Sequence, residues 1–226
     1  MFMAVVFASL LSFSFSAFAE NISGQTQRLL GMAPDKTRQV IVVFVPNAEE
    51  YGAELTCFEQ NNGHWRRQFS PMPALIGRAG LAGPNEKREG DGKTPQGMYD
   101  LRFTFGQKKT PPGKMPYRLM QSDDFWIDDP SSPFYNTLRS GNIGSVSAER
   151  MKLNDGTYDL GLLIEYNTNP IIPGLGSAIF MHIWQSPQKS TQGCVALDRE
   201  NLALILAWLD PEKKPVIIIS GNSVLF

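Results

Sequence analysis

Cys194 and His182 are the two side chains whose type and placement allow nucleophilic catalysis in this chain. A thiol attacks as the thiolate, and an ordinary Cys titrates near pH 8.5, so a catalytic Cys needs a proton acceptor beside it. Imidazole, titrating near neutral pH, is the side chain suited to that task. The stretch from Ser177 to Leu197 places both groups. The apolar run Ala178-Ile179-Phe180-Met181 delivers His182, and a loop rich in Ser, Pro, Gln and Lys follows. Ser190-Thr191-Gln192-Gly193-Cys194 then leads into a second apolar run from Val195. Two strand ends joined by a loop can present a thiol and a base to each other. Gly193 lets the backbone turn sharply, which leaves its amide and that of Cys194 to face a carbonyl oxygen. A buried Cys or a strand-end His, taken singly, is more often structural. The combination with Gly193 points to nucleophilic catalysis.

The rest of the chain must supply the scaffold. Val40 to Val45 is a continuous apolar, β-branched run and reads as a buried strand. Ala53 to Glu59 alternates apolar and polar, and Asn61-Asn62-Gly63 is a hairpin signal leading into His64-Trp65. His64 reads as a solvated hairpin residue. Pro73 to Gly97 is Gly-rich and reads as loop and short strand. Lys93-Thr94 makes no phosphate loop, because Pro95 blocks the helix that must follow. Tyr99 to Phe103 and Tyr158 to Asn167 are further strand candidates, with a solvated loop from Lys108 to Pro116. Phe125-Trp126-Ile127-Asp128-Asp129-Pro130 and Phe134-Tyr135-Asn136 form an aromatic and acidic patch. Aromatic rings beside amides suit peptide or sugar contact, although packing is their commoner use. Adjacent Asp128 and Asp129 before Pro130 read as a turn rather than as a paired acid and base. One helix is predicted after the catalytic stretch: Asp198 caps it, Leu202, Ile205, Leu206 and Leu209 recur at helical spacing, and Pro211 ends it. Val216 to Ile219 is a last buried strand. The class is mainly β with minor helix, in a single domain over 39–226 that follows a polar lead-in over 20–38.

Residues 1–19 carry no charge and end in Ala17-Phe18-Ala19, the pattern of a cleaved secretory signal peptide. A net charge of −1 gives no electrostatic case for nucleic acid or for an anionic membrane surface. Two Cys in an exported chain usually suggest a disulfide. Here a bond to Cys57 would silence Cys194, so Cys57 reads as a small buried hydrophobe. The chain's two His, at 64 and 182, have no metal-ligand spacing, and neither a metal nor an organic cofactor is expected.

The arrangement of His182, a loop, then Thr191-Gln192-Gly193-Cys194 resembles the signature of L,D-transpeptidase catalytic domains of the YkuD type. Gly92-Lys93-Thr94-Pro95-Gln96-Gly97-Met98-Tyr99 is similar to that family's TP-x-G segment. Gln192 and Ala196 depart from the pattern, standing where many members carry His and Arg. The resemblance implies a β-sandwich or open-barrel fold, periplasmic location and action on peptidoglycan stem peptides. Cys194 would attack the carbonyl of the L-centred residue before a terminal D-amino acid, forming a thioester. An amine from a second stem resolves it in a transpeptidase, and water resolves it in an L,D-carboxypeptidase. A wall-binding module without catalysis is the third reading. A backbone carbonyl, or the side chain of Thr191 or Ser190, would orient the imidazole, and the Gly193 and Cys194 amides would bind the oxyanion. Arg78, Arg88 and Lys93 are the candidates for carboxylate recognition in place of the absent Arg. Trp126 and Tyr135 are the candidates for an acceptor surface.

Overall fold

The computed structural model describes residues 22–222, so the Ala17-Phe18-Ala19 pattern lies outside the described residues. Helix α1 (Gly24–Gly31) precedes β1 (Gln39–Val45), the hairpin β2 (Gly52–Asn61) and β3 (His64–Arg67), and then β4 (Met72–Leu75), β5 (Leu81–Ala82) and β6 (Thr94–Pro95). Next come β7 (Gly97–Gly106), β8 (Tyr117–Leu119), β9 (Asp124–Ile127), β10 (Leu138–Ser140) and β11 (Ala148–Arg150). The last part holds β12 (Leu160–Ile164), β13 (Phe180–Ile183), β14 (Val195–Leu197), α2 (Arg199–Trp208) and β15 (Val216–Gly221). No described helix is long and apolar enough to cross a membrane.

The β-branched runs pair first. β1 lies parallel to β15 and antiparallel to β2. Following the pairings gives the order β1-β15-β7-β12-β13-β14-β4-β2, and β2 returns to β1, so the sheet closes into a barrel-like ring. Closure leaves no long unpaired edge within the ring. A small sheet, β10-β9-β11, stands apart from it.

Alternation along the strands decides which side chains go where. Ile41, Val43 and Val45 of β1 join Leu55, Cys57, Ile217, Ile219, Met181, Ile183, Val195 and Leu197 in one apolar cluster. Leu202, Ile205 and Leu206 of α2 complete that cluster, as their helical spacing predicted. At about 1.5–3 kcal/mol for each large aliphatic side chain removed from water, this interior is the main favourable term. The other face of β1, Val40 and Val42, packs with Phe58, Val216 and Ile218 under Leu29 and Leu30. Those two leucines belong to α1, so the polar lead-in contains a helix that the sequence reading missed. Ser23 caps it by accepting from the Thr26 amide at 3.2 Å. The other expected strands, the Asn62-Gly63 hairpin turn and the Asp198-capped helix are present.

Candidate active site

The same alternation puts the thiol and the imidazole on one face. In β13, Met181 and Ile183 point into the ring's interior, leaving Phe180 and His182 on the opposite side. β14 runs parallel to β13 with His182 opposite Ala196, and Cys194, two residues before Ala196, shares its face. A parallel partner requires the loop between the strands to travel back to the start of β13. That return delivers Cys194 beside Phe180. Cys194 and His182 line a cleft of about 600 Å³, together with Glu89, Asp128, Glu149, Asp155, Tyr158 and Ala178.

The imidazole is held from two directions. His182 Nδ1–H donates to the Ile183 carbonyl at 2.9 Å, which fixes the tautomer and leaves Nε2 as the proton acceptor. The Tyr158 ring stands edge-on against it, with centroids 5.4 Å apart. Tyr158 also packs on Phe105 and Phe180 in an aromatic cluster that backs the cleft. The thiol of Cys194 donates to the Ala178 carbonyl at 3.2 Å, and the Phe180 amide donates to its sulfur at 3.4 Å.

A buried brace shapes the loop before Cys194. Thr94, fully buried, donates its hydroxyl to the Gly193 carbonyl at 2.8 Å and accepts from the Gly77 amide at 2.9 Å. Thr191 exchanges backbone hydrogen bonds with Ile76 and Arg78. Its hydroxyl donates to the Cys194 carbonyl at 2.7 Å and accepts from the Gly193 amide at 3.1 Å. Gly193 has φ of +147°, and a Cβ there would lie 2.9 Å from the Lys93 carbonyl oxygen. No other residue fits. This gives the TP-x-G segment a physical task. Thr94→Val should cost about 1–3 kcal/mol in denaturant titration, because it strands a buried amide and carbonyl, and it should change the rate at which iodoacetamide alkylates Cys194. Thr94→Ser should recover most of both. A Val variant as stable as the wild type would remove Thr94 as the brace.

Burial governs the protonation states. It pushes the Cys194 thiol up, the Glu149 carboxylate adds to that rise, and the Phe180 amide and the Lys87 ammonium oppose it. Burial lowers His182 below its usual value, against the smaller pull of the Ile183 carbonyl and of Asp155. The resting pair is thus a neutral thiol beside a neutral imidazole. Glu149 is itself raised by burial and accepts the Tyr158 hydroxyl.

The structure brings together some of the residues expected at the site and separates others. Cys194, His182, Gly193, Thr191, Ser190 and Gln192 all line the cleft. Thr191 braces the loop, and the Ile183 carbonyl orients the imidazole. The Gly193 amide is engaged by Thr191 rather than turned to the cleft. Arg78, Arg88 and Lys93 do not line the cleft; Lys87 and Lys189 are the cations that do. Arg88 donates to the Asn85 and Lys87 carbonyls, and the Lys93 amide donates to Asp91. Trp126 and Tyr135, expected on an acceptor surface, are instead only 4% and 2% exposed. Their polar tips are satisfied inside the wall, Trp126 by Asn136 and Tyr135 by Glu89, so the rings can be buried whole. Cys57 is free and buried in the ring's interior, its thiol pushed up by burial, and His64 is exposed in the hairpin. Asp129 caps a turn by accepting from the Ser131 amide at 2.9 Å, while Asp128 faces the cleft. The Ile183 carbonyl, Thr94, Glu149, Tyr158 and Ala178 were missed as site residues, and only Thr94 carried a sequence signal.

Residues 41–218 match the L,D-transpeptidase catalytic domain, YkuD. No curated protein matches the chain. Among solved structures, the helical cell shape determining protein Pgp2 from Campylobacter jejuni is similar at 17% identity and a TM-score of 0.42. The match covers 83% of this chain and 50% of that protein, so the chain spans about half its length. The K307A mutant of the same protein gives the same identity and TM-score.

Proposed function

The chain belongs to the L,D-transpeptidase catalytic domain family, and from that premise we propose that it is a peptidoglycan L,D-transpeptidase with Cys194 as nucleophile and His182 as base. The observation that carries the reading is the bond from His182 Nδ1 to the Ile183 carbonyl. It presents Nε2 in the cleft that Cys194 lines, the form a general base needs. Because the thiol is protonated at rest, the proton passes to Nε2 as the sulfur attacks the carbonyl of the L-centred residue. The Cys194 amide donates to the developing oxyanion. Imidazolium returns the proton to the departing D-amino acid, leaving a thioester on Cys194. The amine of a second stem peptide then attacks the thioester, His182 takes the amine's proton, and the thiol is regenerated. Lys189, at the cleft, takes the carboxylate role expected of the Gly-rich section. The charge-free start and the Ala17-Phe18-Ala19 pattern support export, which places the enzyme with its substrate in the periplasm.

Purified protein incubated with tetrapeptide muropeptides and an amine acceptor should yield cross-linked dimer or a D-amino-acid exchange product, seen by mass. Tripeptide alone, at every acceptor concentration, would make the protein an L,D-carboxypeptidase. Intact substrate and no thioester adduct would leave a wall-binding module. The pH profile checks the base separately. Since His182 titrates below its usual value of about 6.5, the acid limb of the acylation rate should have its midpoint below that pH. A midpoint at or above 7 would exclude this imidazole as the group responsible.

A further inference from the structure

We propose that Asn136 is a positioning residue for the nucleophile: it holds Ala178 so that the Ala178 carbonyl takes the Cys194 proton bond and keeps the thiol parked. The inference rests on Cys194 being the nucleophile, and nothing in the family signature points to Asn136.

Asn136 is 3% exposed. Its Oδ1 accepts from the Trp126 indole at 2.8 Å and from the Ala178 amide at 3.1 Å. Its Nδ2 donates to the Asn167 carbonyl at 2.7 Å and to the Tyr166 carbonyl at 3.2 Å. Every position of the amide is used, and a flipped amide would set NH₂ against two donors and oxygen against two acceptors. Its orientation therefore has one solution. Ala178, the residue it grips, has φ of +54°, a left-handed conformation that residues with a Cβ avoid. Something must impose that conformation, and the Asn136 bond is made at the amide of the same residue. The consequence appears at the next polar atom: the Ala178 carbonyl points at Cys194 Sγ, 3.2 Å away.

A hydrogen bond given by the S–H group favours the neutral thiol. It also turns the proton away from His182, so attack requires the S–H bond to leave Ala178 for Nε2. Asn136 thereby keeps the sulfur inert at rest while fixing where it stands. The charged and titratable groups around the sulfur come from several elements: Glu149 in β11, Tyr158 before β12, His182 in β13 and Lys87 in the Gly-rich loop. Glu89, Asp128, Asp155 and Lys189 line the same cleft. None of them is a hydrogen-bond partner of Asn136.

The test is the pH dependence of Cys194 alkylation by iodoacetamide in the full chain, with the labelled peptide identified by mass. Asn136→Ala should lower the alkylation midpoint by about one pH unit, an approximately tenfold gain at fixed pH below the midpoint, while acylation by tetrapeptide falls. A merely structural role would slow both. Ala178→Gly loosens the same carbonyl at a positive φ that Gly adopts freely, and should shift the midpoint in the same direction by less. It carries the test if the Asn136 variant fails to fold. Trp126→Phe removes one donor but leaves the Ala178 bond, so it should lose stability and keep the wild-type midpoint. Midpoints unchanged or raised in both Asn136→Ala and Ala178→Gly would overturn the proposal, as would a Trp126→Phe shift as large as that of Asn136→Ala. Alkylation needs no substrate, so the result stands even if the protein proves not to be a transpeptidase.

Discussion

Cys194→Ala should eliminate turnover and every thioester adduct while leaving the thermal transition close to that of the wild type. No other described residue can stand in for the sulfur. Cys57, the remaining thiol, is 1% exposed, sits opposite Ile41 in β2 and faces the ring's interior rather than the cleft. Alanine at 194 removes one atom from a cleft wall and leaves the Gly193 carbonyl bound to Thr94 and the Thr191 hydroxyl bound to the residue-194 carbonyl. The loop therefore keeps its shape. Cys57→Ala tests the converse: it should remain active and lose on the order of 1 kcal/mol of stability, the usual consequence of trimming a core side chain. Intact mass after incubation with a tetrapeptide donor reads both results, since a thioester adds the acyl group to the protein. An adduct that survives in the Cys194 variant and vanishes in the Cys57 variant would reverse the assignment.

The parts of this molecule that were legible in the sequence are those in which a residue's type carries the physics. β1 and β15 announce themselves as β-branched runs, because both of their faces are buried. α2 is readable from its Asp198 cap and its spaced leucines. α1 is not, because GQTQRLLG offers only Leu29 and Leu30 to a surface created by strands far along the chain. That Cys194 and His182 reach one cleft was legible because the apolar runs on either side of their loop read as strands, and those strands pair. Which group orients the imidazole was not, since a backbone carbonyl, one of the alternatives, belongs to every residue type and only the fold selects that of Ile183. Thr191 and Ser190 were the side chains within reach in sequence, and the strand geometry bypassed both. Placement within the Gly-rich section was equally hidden. Which of Lys87, Arg88 and Lys93 meets the cleft depends on how the loop folds back over the 174–178 segment, where Lys87 packs against Gly176. Trp126 and Tyr135 mislead for a further reason. An aromatic ring with a polar tip can be buried entirely once that tip finds a partner, and Asn136 and Glu89 provide those partners.

Removing His182 should slow acylation about 10²–10⁴-fold, the range a positioned proton acceptor contributes. The resting thiol is protonated and pushed up by burial, so without the imidazole little thiolate exists near neutral pH. The loss should therefore shrink as pH rises, and the acid limb set by the imidazole should disappear from the profile. That second signature separates proton transfer from fold damage. It matters here because His182 is only 8% exposed and packs against Tyr158, so His182→Ala opens a gap beneath the aromatic cluster. His182→Gln fills more of the space without supplying a base of the right strength, and it should be as slow as the Ala variant but more stable. His64→Ala, exposed in the hairpin, should match the wild type in rate and in profile. A His182→Gln variant that keeps a normal rate would show that the thiol loses its proton elsewhere. Glu149, the carboxyl held by Tyr158 in the same cleft, would then be the next group to test as the acceptor.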